Sequence, residues 1–342
     1  MQKFGLELEF TGITREEAAF VIGEYWGRKP RKCNGNHDTY EIMDRSRRNW
    51  RIVYDSSIVS ECQHYYATED YQVEMVTPIC HYDDIPVIQE LVRRLRSKGA
   101  VAGQKCGIHI HVDATPYDAR TLRNITNIMA SKEDLIYKAL QVQVERKNKY
   151  CQPVNSLFLE ELNRKKPKTT EGVKTIWYRG KDKSRNHYDK SRYHCLNLHS
   201  VFEKGTIEFR LFNSTMDDGE VKAYIHLCLA ISHQALTQAS ASRRVTVSTN
   251  EKYTFRTWLL RLGLNGEEFS ETRKHLLKHL DGCIAWKNPE QAVQQKLRRE
   301  KSRGQTAREE QTGREELSGR EEQREADQEL AGEEDPGFFM SM

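Results

Sequence analysis

The chain has 342 residues, 37% of them hydrophobic and 30% charged, a balance that fits a globular body carrying a polar appendage. No run of about 18 apolar residues occurs, so no membrane span is expected, and the first strand pattern opens at Phe4, which leaves no room for a signal peptide. The formal charge of +4 hides a split: from Pro289 onward nine Lys/Arg face fourteen Asp/Glu, and the body before it is strongly basic.

A basic body suits an anionic substrate such as a nucleotide. No helix-turn-helix, zinc-finger or RNP pattern accompanies it, so nucleic acid is not an expected partner. The eight cysteines form no CxxC pair and sit mostly in apolar surroundings, which predicts reduced thiols in a cytoplasmic protein.

Taken in chain order, Phe4–Phe10 alternates apolar and polar residues and predicts a strand. Thr14 to Tyr25 has helical spacing, and Thr14 with Glu17 makes a capping-box pattern. Tyr40–Met43 and Trp50–Tyr54 read as a hairpin joined through Asp44–Asn49. Val73–Val76 is a further strand, stopped by Thr77-Pro78. Asp83–Lys98 carries one apolar stripe and is closed by Gly99, so a helix is expected there. The strand around His109 follows, and Asp118 to about Asn148 predicts one long helical stretch. Residues 150–192 read as irregular and basic, either a substrate lid or a solvated loop. Tyr193–Leu198 and Thr206–Phe212 predict a second hairpin, then helices over Glu220–Thr237, Phe255–Leu262 and Glu268–Leu280. Beyond Trp286 a motif beginning at Ala307, Gly313 and Gly319 recurs every six residues, a period that supports no stable apolar helix face. Residues 287–342 therefore predict a disordered, charged tail.

The chemistry lies in the alternation. Successive strand side chains point to opposite faces, so Glu7 shares a face with Glu9, His109 with His111 and Asp113, and Glu208 with Arg210. Leu6, Leu8, Ile108, Ile110, Val112, Ile207, Phe209 and Leu211 fill the other face. If these strands and Val73–Val76, with Glu74, lie in one sheet, its polar side gathers carboxylates. Such a cluster is costly unless cations neutralise it. Hard oxygen ligands suit Mg²⁺ beside substrate phosphates. Arg210 would present fixed planar donors to a phosphoryl oxygen. Asn197 could bond a substrate or only its own hairpin, and Arg192 is a basic candidate just before it. Asp55, with Ser57, is either a turn cap or a contact to a substrate amine. Gly107 would let a ligand approach the backbone.

Together these segments resemble the amidoligase family, a distant branch of the glutamine synthetase and γ-glutamylcysteine synthetase fold. The matching pieces are FGLELEF at 4–10, WRIVYDSSI at 50–58, VEMVTPI at 73–79, CGIHIHVD at 106–113, RKNKYCQP at 146–153, and YHCLNLHS with GTIEFRLFNST between 193 and 215. They cover roughly residues 4–235, within a catalytic domain read as 1–286 whose last helices occupy 236–286. Ser56 stands where the family often has Gly. The resemblance implies an α+β fold, a curved antiparallel sheet with helices on its convex face, and a glutamine synthetase-like catalytic site. It further implies an ATP-dependent carboxylate–amine ligase working through an acyl phosphate. Glu7, Glu9, Glu74, Glu208 and His109 would hold Mg²⁺ or Mn²⁺, with His109, Arg210, Asn197 and Arg192 around ATP. Arg210, Glu208 and Asp55 would serve catalysis. The partners would be an acid and an amine: amino acid, peptide, cell-wall fragment or protein side chain. Folds of this kind often oligomerise.

Two other readings fit parts of the pattern. His109 and His111 on one strand also suit a metal-dependent amidohydrolase, in which zinc activates water. The basic segment 164–192 with the charged tail suits a non-catalytic binding protein, whose nucleic-acid affinity would fall steeply with salt.

Overall fold

Strand β1 (Phe4–Phe10) follows its own alternation: Phe4, Leu6, Leu8 and Phe10 are buried in the apolar core, while Gly5 and Glu7 turn to the other face. It lies in an eight-stranded antiparallel sheet with β2 (Arg31–Cys33), β3 (Thr39–Met43), β4 (Asn49–Val53), β5 (Val73–Val76), β6 (Gly107–Asp113), β7 (Leu196–Asn197) and β8 (Thr206–Asn213). The spatial order is β2-β3-β4-β5-β1-β6-β8-β7, so the four strands that carry Glu74, Glu7 and Glu9, His109 and His111, and Glu208 lie side by side. The computed structural model describes residues 2–33, 35, 37–61, 67–285, 290, 291, 293–295, 297, 298 and 300. The six-residue repeats from Ala307 to Glu322 and Cys62 lie outside these, as does nearly all of the tail assigned to 287–342. The chain divides into Met1–Gly282 and Cys283–Met342, and the sheet belongs to the first.

Helices cover the apolar face. In α1 (Arg15–Trp26), the Thr14 hydroxyl accepts from Glu17 N–H while the Glu17 carboxylate accepts from Thr14 N–H at 2.9 Å, the reciprocal cap foreseen above. In α2 (Ile85–Lys98), Ile88, Leu91, Val92 and Leu95 are wholly buried, each contributing about 1.5–3 kcal/mol. Gly99 ends it in the left-handed region at φ 114°.

The long helical stretch expected over 118–148 is broken in two. Helix α3 (Ala119–Ala139) stops where Gln141 adopts φ 47°. Val142 N–H then returns to the Tyr137 carbonyl, a Schellman-type closure, and α4 (Val144–Lys149) starts anew. The apolar spacing runs on through Val142 and Val144 because Val142 itself packs on the core, so periodicity alone hides the break. The segment expected to be irregular contains α5 (Ser156–Lys165) and α6 (Thr170–Trp177). Their few apolar residues, Phe158, Leu162 and Val173, are buried, and Phe158 meets Trp177 edge-on with ring centroids 4.8 Å apart. Each helix is too short to show a clear stripe among so many lysines and arginines. The second hairpin is also interrupted: β7 pairs with β8 over two residues, and α7 (His199–Glu203) intervenes. Helix α8 (Asp218–Thr237) packs against α2 and α3, followed by α9 (Glu251–Arg261) and α10 (Ser270–Leu277). Among the described residues, no helix is long and apolar enough to cross a membrane.

Candidate active site

Register across the sheet decides which polar side chains meet. Glu7 pairs with His109, Glu9 with Glu74, and Gly5 with His111. His111 in turn pairs with Glu208, and Glu208 with Asn197. Five adjacent strands thus turn one row of charged groups onto one face. His109 Nδ1 donates to Glu7 at 3.1 Å, and its Nε2 lies 3.6 Å from Glu9. His111 Nε2 lies 3.3 Å from Glu7, while its Nδ1 meets the Thr206 hydroxyl at 2.9 Å. Ligand atoms of Glu7, Glu74 and His109 come within 4.8 Å of one another, as do those of Glu7, His111 and Glu208, and those of Glu9, Asp55 and Glu74.

Glu9 and Glu208 are buried while Glu7, Glu74 and Asp55 are half-buried, and their environments divide them. Burial pushes Glu74 well above the ordinary carboxylate range, and Glu7, Glu9 and Asp55 push it further. Glu9 is raised as well, chiefly by burial. Burial also acts on Glu7, but His111 and His109 outweigh it and hold Glu7 well below the usual range. Glu208 is buried yet held down at about 2 by Arg210, His111 and His109. The His111 imidazole loses stability as a cation through burial, and the charges of Glu7 and Glu208 more than restore it, so its pKa is raised. The Glu7–Glu208 end of the row is therefore more fully neutralised by protein cations than the Glu74–Glu9–Asp55 end, where burial prevails at Glu9 and Glu74.

Arg210 owes its aim to a bulge. Ile108 pairs with Phe212 and Ile110 with Phe209, so Arg210 and Leu211 together stand opposite His109 alone. The Arg210 guanidinium pairs with Glu208, donates to the Tyr150 carbonyl at 3.4 Å, and lies 5.9 Å over the Tyr193 ring. Asn197 donates to Glu208 at 2.6 Å and its oxygen accepts from His199 N–H, so the amide braces Glu208 within its own hairpin. Asp55 both caps its turn, accepting from Ser57 N–H at 2.7 Å, and stands beside Glu9 and Glu74. Arg192 makes its contacts away from the carboxylates, with the His187 carbonyl and the Tyr193 ring. Asp113 accepts from Thr115 N–H at the strand end.

Gly107 serves differently from the expectation. A Cβ there would lie 2.1 Å from Arg146 Nη2, so the missing side chain makes room for the chain's own guanidinium rather than for a ligand. Arg146 is the group that sequence reasoning passed over as a site residue, and His111, read there only as a possible metal ligand, stands between Glu7 and Thr206. The signal for Arg146 was a glycine at a site-facing position of an otherwise bulky strand.

A cavity borders the row and a second lies near it. One of about 500 Å³ is bordered by Glu7, His111, Lys204, Thr77 and Asp113. A larger one of about 1410 Å³, lined by Tyr150, Trp177, Tyr178, Tyr193, Lys149 and Lys190, reaches residues that touch Arg210. A buried, carboxylate-rich face fixed by two imidazoles and one guanidinium can hold hard cations and an anionic group side by side.

A family model described as "Putative amidoligase enzyme" matches residues 1–232. The chain belongs to this family. The match spans the sheet and most of α8, and it agrees with the resemblance seen between residues 4 and 235. Membership in the amidoligase family supports a ligase-type enzyme. No curated protein matches the chain.

Proposed function

We propose that this protein is an ATP-dependent carboxylate–amine ligase that forms an amide through an acyl phosphate. The carrying observation is the convergence of Glu7, Glu9, Glu74, His109 and Glu208 with Arg210 on one buried sheet face. The donor chemistry fits the implied cations: carboxylate oxygens dominate, and at the Glu74–Glu9–Asp55 end the neighbouring protein cations do not outweigh burial. Glu7, Glu9, Glu74, Glu208 and His109 would hold Mg²⁺ or Mn²⁺, which would supply charge neutralisation for phosphoryl oxygens. We read the sheet as of the glutamine synthetase type on the same grounds. ATP and these ions imply a cytoplasmic setting.

The chain's own residues would contribute position and charge. Arg210, fixed by Glu208 and the Tyr150 carbonyl, presents its donors where negative charge develops as the γ-phosphoryl passes to the substrate carboxylate. The substrate's C–O bond to the new phosphate then breaks as the amine attacks the acyl carbon, and phosphate leaves. Burial of the row keeps water from competing with the amine. A cavity bordering Glu7 and His111, with a larger one reaching the Tyr150 and Tyr193 neighbours of Arg210, suits a reaction that brings three substrates together. The acid and amine classes remain those named above, and the fold type is compatible with oligomers. The amidohydrolase reading is weaker, because each candidate metal group holds at most one of His109 and His111 and is otherwise made of carboxylates, which suit hard cations.

The test is ADP release with Mg²⁺ and pools of acids and amines, followed by mass spectrometry of condensation products. Amine-dependent ADP formation that is lost in Glu9→Ala and Arg210→Ala supports the reading. Unchanged turnover in both variants removes it.

A further inference from the structure

The acidic face carries a second buried guanidinium that the site, as described so far, does not use. On β6 the alternation that turns His109 and His111 toward the carboxylates would turn a side chain at position 107 the same way. Gly107 has none, and the guanidinium of Arg146, from α4, occupies that volume: an added Cβ would meet Nη2 at 2.1 Å, Cζ at 2.6 Å and Nη1 at 2.7 Å. Gly107 also donates its N–H to Glu9 at 2.7 Å, so the Arg146 guanidinium lies against the backbone that holds Glu9. Arg146 is only 3% exposed. Its Nη1 donates to the Lys105 carbonyl at 2.9 Å, but Nε and Nη2 have no hydrogen-bond partner among the described residues.

Two unmatched donors on a buried cation are expensive, since each forfeits its water without replacement. Neutralising Glu9 would need charge alone, not a fork of free N–H groups. Guanidinium forks match the planar spacing of oxyanions. Arg210 approaches the same row from β8, with its own guanidinium turned to Glu208.

We propose that Arg146 is a substrate-binding residue whose free Nε and Nη2 donors take an oxyanion, phosphoryl or carboxylate, seated beside Glu9. This rests on the ligase reading for its place in a reaction, where it would hold the anionic group alongside Arg210. It does not rest on that reading for the binding itself. The nearness of Arg146 to Glu9 is consistent with its being among the charges that oppose the upward push of burial on that carboxyl.

The test is anion binding to the full chain in saturating Mg²⁺, by calorimetry and by thermal shift, with inorganic phosphate in one arm and acetate in the other. Arg146→Ala should weaken the anion that normally occupies the fork about 10- to 100-fold. Arg146→Lys, which keeps charge and bulk and covers the case in which the alanine variant does not fold, should show an intermediate loss. Loss confined to phosphate assigns the fork to a phosphoryl group, and loss confined to acetate assigns it to a carboxylate. Affinities within about twofold of wild type in the folded variants overturn the proposal and leave Arg146 a counter-charge for Glu9, and so does a wild-type protein that binds neither anion. Arg146-dependent anion binding in a protein that makes no ADP with any acid–amine pool keeps this inference and removes the ligase reading. ADP formation with Arg146-independent binding does the reverse.

Discussion

Asn197 and Glu208 face each other across the short β7–β8 ladder, and the Asn197 amide donates to the Glu208 carboxylate at 2.6 Å. Its oxygen is taken by His199 N–H at 2.9 Å. Glu208, with Arg210 on its other oxygen, is thereby held from two sides in one orientation.

Asn197→Ala should cost about 1–3 kcal/mol of stability, because a buried acceptor loses its donor. Asn197→Asp should cost more, since a second carboxylate would face Glu208 at hydrogen-bond distance. Chemical denaturation of both variants checks the order, and an aspartate variant as stable as the alanine one would contradict it.

Glu74 shows the opposite behaviour to Glu208. Its folded pKa is raised by burial and by Glu7, Glu9 and Asp55, so whatever stability it brings is present below the ordinary carboxylate range and lost as pH rises through the raised value. Glu74→Gln should therefore raise the melting temperature of metal-free protein at neutral pH. The same change should lower Mg²⁺ affinity by about tenfold. Thermal scans with and without Mg²⁺ read both effects, and a variant less stable in metal-free buffer would refute the electrostatic account.

Glu133, which has none of the row's cations among the causes of its raised pKa, offers a cleaner pH signal. Burial raises Glu133, on α3, from an ordinary 4.5 to about 7, despite its acceptance of Val154 N–H at 2.8 Å. The sign follows from linkage: its stabilising contribution is complete below about 4.5 and disappears as pH climbs through 7. Glu133→Gln keeps the acceptor and removes the charge. Its stability should fall less than that of wild type between pH 5 and pH 8, and parallel curves would remove the assignment.

Gly107→Ala places a methyl group where the Arg146 guanidinium lies. The expected cost is about 1–3 kcal/mol, with turnover reduced as well because Glu9 is held by the Gly107 N–H. Full stability in the alanine variant would mean that Arg146 can retreat freely.

Arg210→Ala should reduce kcat by about 10²–10³-fold, with a smaller effect on KM for the acid. Steady-state kinetics separate the two. An effect on KM alone would make Arg210 a binding group without a part in the chemistry.

The sheet and its polar face were legible in the chain because strand alternation is a local property. Glu7, Glu9, His109, His111, Glu208 and Arg210 could be assigned to faces by counting in twos, and the apolar residues between them could be assigned to the core. Thr14, Glu17 and Gly99 were legible for the same reason, since caps act over three or four residues. The breaks were not. Gln141 ends α3 through its backbone angle while the apolar spacing carries on past it, and α5 and α6 are too short for their stripes to stand out.

By itself, then, the order of residues determined which side chains share a strand face and which families of chemistry that face could serve. Only the tertiary structure decided who meets whom. Register brought Glu9 opposite Glu74, a bulge in β8 aimed Arg210, and the gap left by Gly107 admitted Arg146 from 39 positions away in the chain. Pairing across strands and the filling of a vacant side-chain volume depend on contacts between distant segments, and no periodicity along the chain encodes them.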